Sequence, residues 1–242
     1  MTDAQRLRAR LSGISLGVFA ADCGRLRDAT EQAAAWGAAA LHFDVMDGVF
    51  VPAITGGPGF VAALDVGLPR DVHLMVDRPS RCVDGFADAG ADVITVHAEA
   101  PDAAEAIGRI RAASARLGRP ILAGLALMPD TAVEAAQAPL DQAPDLILVL
   151  AVDPRRRAPP AIAAACEMLA ALRADQRGVA PLLAFDGGVT VATIDAIAAS
   201  APDLVVSGSA VFSASDPKAA FARLAIALEI DAAAGAATRA SG

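Results

Sequence analysis

Short apolar runs recur eight times along this chain, each followed by an alanine-rich stretch with helical spacing, and that alternation constrains the fold more than any single motif does. The runs are Ile14 to Ala20, Leu41 to Val45, Val72 to Val76, Val93 to Val96, Ile121 to Leu127, Leu146 to Val152, Leu182 to Phe185 and Leu204 to Val206. Segments between them, such as Arg25 to Trp36, Ser80 to Ala89, Asp102 to Leu117, Ala161 to Ala174 and Val191 to Ser200, read as amphipathic helices. Strands that alternate with helices pair in parallel through right-handed crossovers. Eight such units in 242 residues predict the α/β class and a closed (β/α)8 TIM barrel. The barrel is expected over residues 1–230 as one domain, with a flexible C-terminal tail over 231–242. A doubly wound open sheet is the alternative, but it would bring a glycine fingerprint after its first strand, and none is present.

Composition removes several classes of function. A hydrophobic fraction of 55% supports a sizeable core, yet no apolar run is long enough to cross a bilayer. Met1 to Arg10 is polar and basic with no apolar stretch behind it, so no secretory signal is expected and the protein reads as cytoplasmic. A net charge of −8 leaves no basic footprint for nucleic acid; the one basic cluster, Arg155 to Arg157, is short. Cys23, Cys82 and Cys166 are odd in number and widely spaced, against a disulfide framework or a thiolate zinc site, and are expected to be buried and inert.

Polar residues then fall where a barrel would place its chemistry. His42 and Asp44 are two apart in a strand, so an imidazole and a carboxylate share one face. His73, His97 and Asp186 also lie near the C-terminal ends of predicted strands, where βα loops build the sites of such barrels. One histidine there would read as a hydrogen-bonded core imidazole. Five convergent groups on four strands point instead to a site, because a core has no reason to bury such groups unpaired.

These residues closely resemble the ribulose-phosphate 3-epimerase family. The resemblance is carried by His-Phe-Asp-Val-Met-Asp-Gly-Val-Phe-Val-Pro (42–52), Asp-Val-His-Leu-Met-Val (71–76), Gly-Ala-Asp-Val-Ile-Thr-Val-His-Ala-Glu-Ala (90–100), Asp-Gly-Gly-Val (186–189) and Ser-Gly-Ser-Ala-Val-Phe (207–212). It implies one divalent metal held by His42, Asp44, His73 and Asp186, with Asp44 and Asp186 doubling as the acid/base pair. Zinc, manganese, iron and cobalt all suit two imidazoles and two carboxylates, with zinc favoured. Met46 and Met75 resemble methionines packed beside the substrate, or are core filler. Further substrate contacts are expected from His97, from Gly187, Gly188, Gly208 and Ser209 at the phosphate corner after strands seven and eight, and from Arg155. The implied partner is a small sugar phosphate, with no nucleic acid and no membrane, in a homo-oligomer.

The chain departs from the family pattern at three places. Gly17 stands where the first strand usually has a serine, and Met128-Pro129 replaces Asn-Pro after strand five. After strand six, Asn-Pro-Gly-Phe-Gly-Gly-Gln is here Asp153-Pro154-Arg155-Arg156-Arg157-Ala158-Pro159. That loop normally wraps the phosphate with glycine backbone. Either the arginines replace backbone donors with cations, and the loop takes a different or larger anion, or they form a solvated surface loop. Three readings stay open: a 3-epimerase of a pentulose phosphate, an epimerase of another anionic sugar, and a non-catalytic barrel that binds a sugar phosphate or a protein.

Overall fold

Each of the eight apolar runs forms a strand: β1 (Gly13–Gly17), β2 (Ala40–Met46), β3 (Arg70–Met75), β4 (Val93–His97), β5 (Leu122–Leu127), β6 (Leu146–Leu150), β7 (Leu182–Asp186) and β8 (Leu204–Ser207). They pair in sequence order and β8 returns parallel to β1, closing the expected (β/α)8 barrel. The helices are α1 (Asp3–Arg10), α2 (Leu26–Trp36), α3 (Pro58–Ala63), α4 (Val83–Asp88), α5 (Ala103–Leu117), α6 (Gln137–Leu140), α7 (Ile162–Ala174), α8 (Ile194–Ala199), α9 (Ser209–Phe212) and α10 (Pro217–Arg239). This computed structural model describes residues 1–156, 158–174 and 180–239, with 230–239 described by backbone alone. Arg157 and residues 240–242 of the expected tail therefore lie outside the described residues, while α10 continues past residue 230, where the sequence sets the end of the barrel.

Two apolar layers follow from the alternation of strand side chains. Leu41, Phe43, Leu74, Ile94, Leu125, Val149 and Phe185 face outward onto the helices. The α5 helix meets them with Ala103, Ala106, Ile107, Ile110 and Ala113, spaced three or four apart and all buried. It ends at Gly118, whose φ of 63° is the left-handed conformation that stops a helix. The inward set is divided. On β5 to β8 it is apolar, with Leu122, Ala126, Leu146, Leu148, Leu150, Ala184, Leu204 and Val206. On β1 to β4 it includes Ser15, His42, Asp71, His73, Thr95 and His97, all buried. The buried polar groups are thus gathered on one half of the barrel, and Asp186 at the end of β7 reaches them from the other half.

The bottom of the barrel is closed by α1, a helix that the apolar pattern does not announce. Thr2 and Gln5 form a reciprocal capping box, with Oγ1 of Thr2 accepting from the Gln5 N–H at 3.2 Å and Oε1 of Gln5 accepting from the Thr2 N–H at 2.7 Å. Leu7 and the fully buried Leu11 join the inward cluster. Arg8 ties the helix down by donating to the carbonyls of Asp145 and Ala180, at 2.9 and 2.6 Å. Leu11→Ala is therefore expected to destabilise the fold by about 2–5 kcal/mol, as for other buried leucine truncations. Urea denaturation checks it, and an unchanged midpoint would mean that the plug adds nothing.

The expectation of buried cysteines is corrected. Cys23 is exposed, Cys82 and Cys166 are half-buried, and all three are free, because each lies in a loop or on a helix outside the barrel wall. No helix among the described residues is long and apolar enough to cross a membrane.

Candidate metal and catalytic centre

The register of β2 against β3 sets His42 beside Asp71, Asp44 beside His73 and Met46 beside Met75. Alternation turns these pairs into the barrel, and β7 brings Asp186 to the same level at its C-terminal end. One donor atom from each of His42, Asp44, His73 and Asp186 lies within 4.8 Å of all the others. Oδ1 of Asp44 stands 3.2 Å from Nε2 of His42 and 3.1 Å from Nδ1 of His73, and Oδ2 of Asp186 is 3.9 Å from the same His73 nitrogen. Both histidines are fully buried, whereas the side chains of Asp44 and Asp186 keep 27% and 18% exposure, so the cluster opens upward to the mouth.

This donor set fits a divalent cation. Two imidazoles and two carboxylates converge within a span that one ion can bridge, and their chemistry suits a first-row metal. The surroundings fit as well. Nδ1 of His42 is 2.7 Å from Oδ2 of the buried Asp71, which also accepts from the Ser15 hydroxyl at 3.2 Å. An imidazole that donates Nδ1–H to a carboxylate turns its Nε2 lone pair toward the centre, the arrangement found behind most metal-ligating histidines.

Electrostatics separates the two carboxyl groups. Burial raises Asp186, and the nearby charge of Asp44 raises it further, to about 6. Burial acts upward on Asp44 too, but the charge of His42 and hydrogen bonds from His42 and His73 hold it well below the usual carboxylate range. Burial acts to lower His42, yet Asp71 and Asp44 together raise it well above its ordinary value. A proton shared there would leave when a cation enters. One aspartate is thus held ionised, while its neighbour takes up a proton as the pH falls toward about 6.

The other expected residues distribute unevenly. Met46 is half-buried above the cluster, and Met75 is almost fully buried. His97, expected against substrate, is fully buried behind His73: its Nε2 lies 2.8 Å from Nε2 of His73 and its Nδ1 lies 3.0 Å from Oε2 of Glu99. In that position it backs His73, with no face of its own exposed. Burial pushes its imidazole down to about 4. Gly187 and Gly188 follow β7 with φ of 93° and 66°, and Gly208 and Ser209 follow β8. A Cβ at Gly187 would come 2.6 Å from Val152, and one at Gly188 2.5 Å from Pro160, so both turns require glycine.

Arg155 stands at the mouth with its guanidinium 5.9 Å above the ring of Phe50, which lies 5.0 Å from the His97 ring. It is not a free cation. Asp153 accepts from its backbone N–H and from Nε, both at 2.9 Å, and from Nη2 at 3.0 Å, and from Nε of Arg156 at 2.7 Å. Arg156 also pairs with Asp130 of the loop after β5. The Arg155 hydrogen bonds hold Asp153 well below the usual carboxylate range.

Asp71, Glu99, Ser15 and Thr131 are supporting residues that the sequence reading missed. Asp71 and Glu99 each sit two positions from a histidine already singled out, the same spacing that marked Asp44, so a signal was available. Ser15 and Thr131 carried none.

Comparison with known proteins adds independent information. The model of the ribulose-phosphate 3-epimerase family matches residues 13–212. The ribulose-phosphate 3-epimerase of Mycobacterium tuberculosis is 40% identical over 225 residues, covering 87% of this chain and 90% of that protein. Those of Bacillus subtilis and Escherichia coli K12 are 35% and 37% identical, covering 87% and 85% of this chain and 97% and 91% of theirs. Among solved structures, the 3-hexulose-6-phosphate synthase of Salmonella typhimurium is similar with a TM-score of 0.69 at 15% identity, covering 90% of this chain and 99% of that one. At that identity the likeness speaks for the fold alone.

Proposed function

Because the chain belongs to the ribulose-phosphate 3-epimerase family, we propose that it inverts C3 of a ketose phosphate, interconverting D-ribulose 5-phosphate and D-xylulose 5-phosphate, with Asp44 and Asp186 as its acid/base pair. The observation that carries this reading is the cluster of two imidazoles and two unequal carboxyl groups at the mouth of the barrel. Inversion removes a proton beside a carbonyl and returns one to the opposite face of the resulting enediolate. Each direction of turnover therefore needs one ionised and one protonated group, and pKa values set apart by their surroundings supply that pair. His42, Asp44, His73 and Asp186 would hold the divalent ion, zinc being favoured among zinc, manganese, iron and cobalt. A cation held there supplies Lewis-acid stabilisation of the developing negative charge.

The substrate phosphate is assigned to Gly187, Gly188, Gly208 and Ser209, after β7 and β8, the corner where such barrels bind phosphate. Met46 and Met75 would line the apolar side of the sugar. The engagement of Arg155 and Arg156 by Asp153 and Asp130 supports a loop that walls the mouth over one that offers free cations to the phosphate. The same altered loop motivates a second reading, an epimerase of another phosphorylated or carboxylated sugar. A non-catalytic barrel is disfavoured, since drift would not spare a complete donor set.

The test is isotopic. Metal-loaded protein incubated with D-ribulose 5-phosphate in deuterated water is expected to incorporate deuterium at C3 and to yield D-xylulose 5-phosphate. Absence of exchange at every metal loading would reject this substrate, and exchange with another ketose phosphate alone would favour the second reading.

A further inference from the structure

We propose that Glu99, acting through His97, holds His73 in the tautomer that turns its Nδ1 lone pair toward the four-residue centre. The proposal rests on the metal-site reading above. Glu99 follows β4 by two residues and belongs to neither the proposed ligand set nor the acid/base pair. Both of its carboxylate oxygens face donors. Oε1 accepts the backbone N–H of Met128 at 2.9 Å and the hydroxyl of Thr131, and Oε2 faces Nδ1 of His97 at 3.0 Å. A backbone amide can only donate, so Oε1 is an acceptor, and a carboxylate bound in this way leaves Nδ1 of His97 to carry the proton.

The direction of the remaining bonds then follows. A neutral imidazole with Nδ1–H has its lone pair on Nε2. That nitrogen lies 2.8 Å from Nε2 of His73, and two lone pairs cannot face each other at that distance, so His73 donates Nε2–H. With a cation in the centre its own lone pair is then on Nδ1, the nitrogen that otherwise hydrogen-bonds Asp44 at 3.1 Å and lies 3.9 Å from Asp186. The donors therefore run from His73 to His97 to Glu99. His42 has its orienting carboxylate in direct contact, Asp71 at 2.7 Å, whereas His73 reaches one only through a second imidazole. Both routes leave one nitrogen free for the centre.

Glu99 also fastens the loop after β5 through Met128 and Thr131, so a purely structural role must be separated from positioning. The separating readout is the tautomer itself. With three histidines in the chain, long-range proton–nitrogen correlation spectra of nitrogen-15-labelled, Zn2+-loaded protein resolve each ring. His97 is expected as the Nδ1–H form and His73 as the Nε2–H form; an Nε2–H form of His97 in the wild type overturns the proposal. Competition titration with Zn2+ supplies the second measure. Glu99→Ala is expected to weaken binding about 10–100-fold, the usual cost of losing an outer-shell partner. Glu99→Gln keeps one acceptor oxygen, which can serve His97 only by turning its amide NH2 toward the Met128 N–H, so its loss should be smaller than that of Glu99→Ala but not absent. Unchanged Zn2+ affinity in Glu99→Ala overturns the relay alone. A wild type that binds no Zn2+ overturns the metal-site reading and the relay with it. Because the tautomer is read in the wild type, the proposal remains falsifiable if Glu99→Ala does not fold.

Discussion

Asp44→Asn is expected to lower kcat/KM for epimerisation by at least about 10⁴-fold, the largest loss of any single substitution in the centre. One atom, Oδ1, is the meeting point of His42 Nε2 and His73 Nδ1, so the substitution removes the charged oxygen that both imidazoles approach as well as a base. Loss of a positioned base alone costs about 10²–10⁴-fold, and the loss of a ligand adds to it. A factor of 10⁴ corresponds to about 5.5 kcal/mol of transition-state stabilisation. The fold should survive. Asparagine has nearly the same shape, and the strand is held through the main chain, where the Asp44 carbonyl accepts from the Thr55 hydroxyl at 2.6 Å. A thermal midpoint close to the wild type together with loss of activity and of bound metal is the expected pattern. Activity within tenfold of the wild type would remove Asp44 from both of its roles.

The strands were legible because burial on both faces leaves continuous apolar runs, and parallel order follows from the helices between them. The centre was legible for a related reason. A histidine or aspartate interrupting such a run stands out against it, as His42, Asp44 and His73 do, and Asp186 stands at the end of one. Asp71 and Ser15 escaped although they lie within strands, and the rest of the support comes from places with no apolar background. Glu99 lies in a loop, where a carboxylate reads as solvated surface, and only the fold shows that its oxygens are taken by His97, Met128 and Thr131. His97, expected as a substrate contact, sits in a strand similar in composition to that of His73, so composition alone does not say which of the two lies nearer the centre. Adjacent strands place it one ring further from the centre, behind His73. Leu7 and Leu11 escaped because two apolar residues make no amphipathic stripe, although the Thr2-x-x-Gln5 capping signature was present.

The loop after β6 shows a different limit. Three successive arginines read equally well as an anion site or as a surface cluster, since residue type does not say which acceptor a guanidinium takes. The acceptor was two and three residues away, in Asp153, which is nearly buried and binds Arg155 and Arg156 together. A neighbouring carboxylate is always at high local concentration, so an anionic substrate must displace it to recruit Arg155.

Asp186→Asn is expected to separate proton exchange from inversion. Asparagine cannot carry the proton that Asp186 holds up to about 6, so delivery to one face of the enediolate stops, and net epimerisation should fall by about 10²–10⁴-fold. Asp44 is untouched, and His42, Asp44 and His73 still offer three donors, the number of protein ligands common in catalytic zinc sites. Metal should therefore stay bound, though less tightly. The epimer whose C3 proton faces Asp44 should then still exchange it with solvent and return unchanged in configuration, while the other epimer should not exchange. Proton NMR of each pure epimer in deuterated water reads this directly. The epimer that loses its C3 signal identifies the face served by Asp44. Equal exchange of both epimers, or inversion above about a tenth of the wild-type rate, would show that Asp186 is not the second acid/base group, and the asymmetry between the two carboxyl groups would then need a different use.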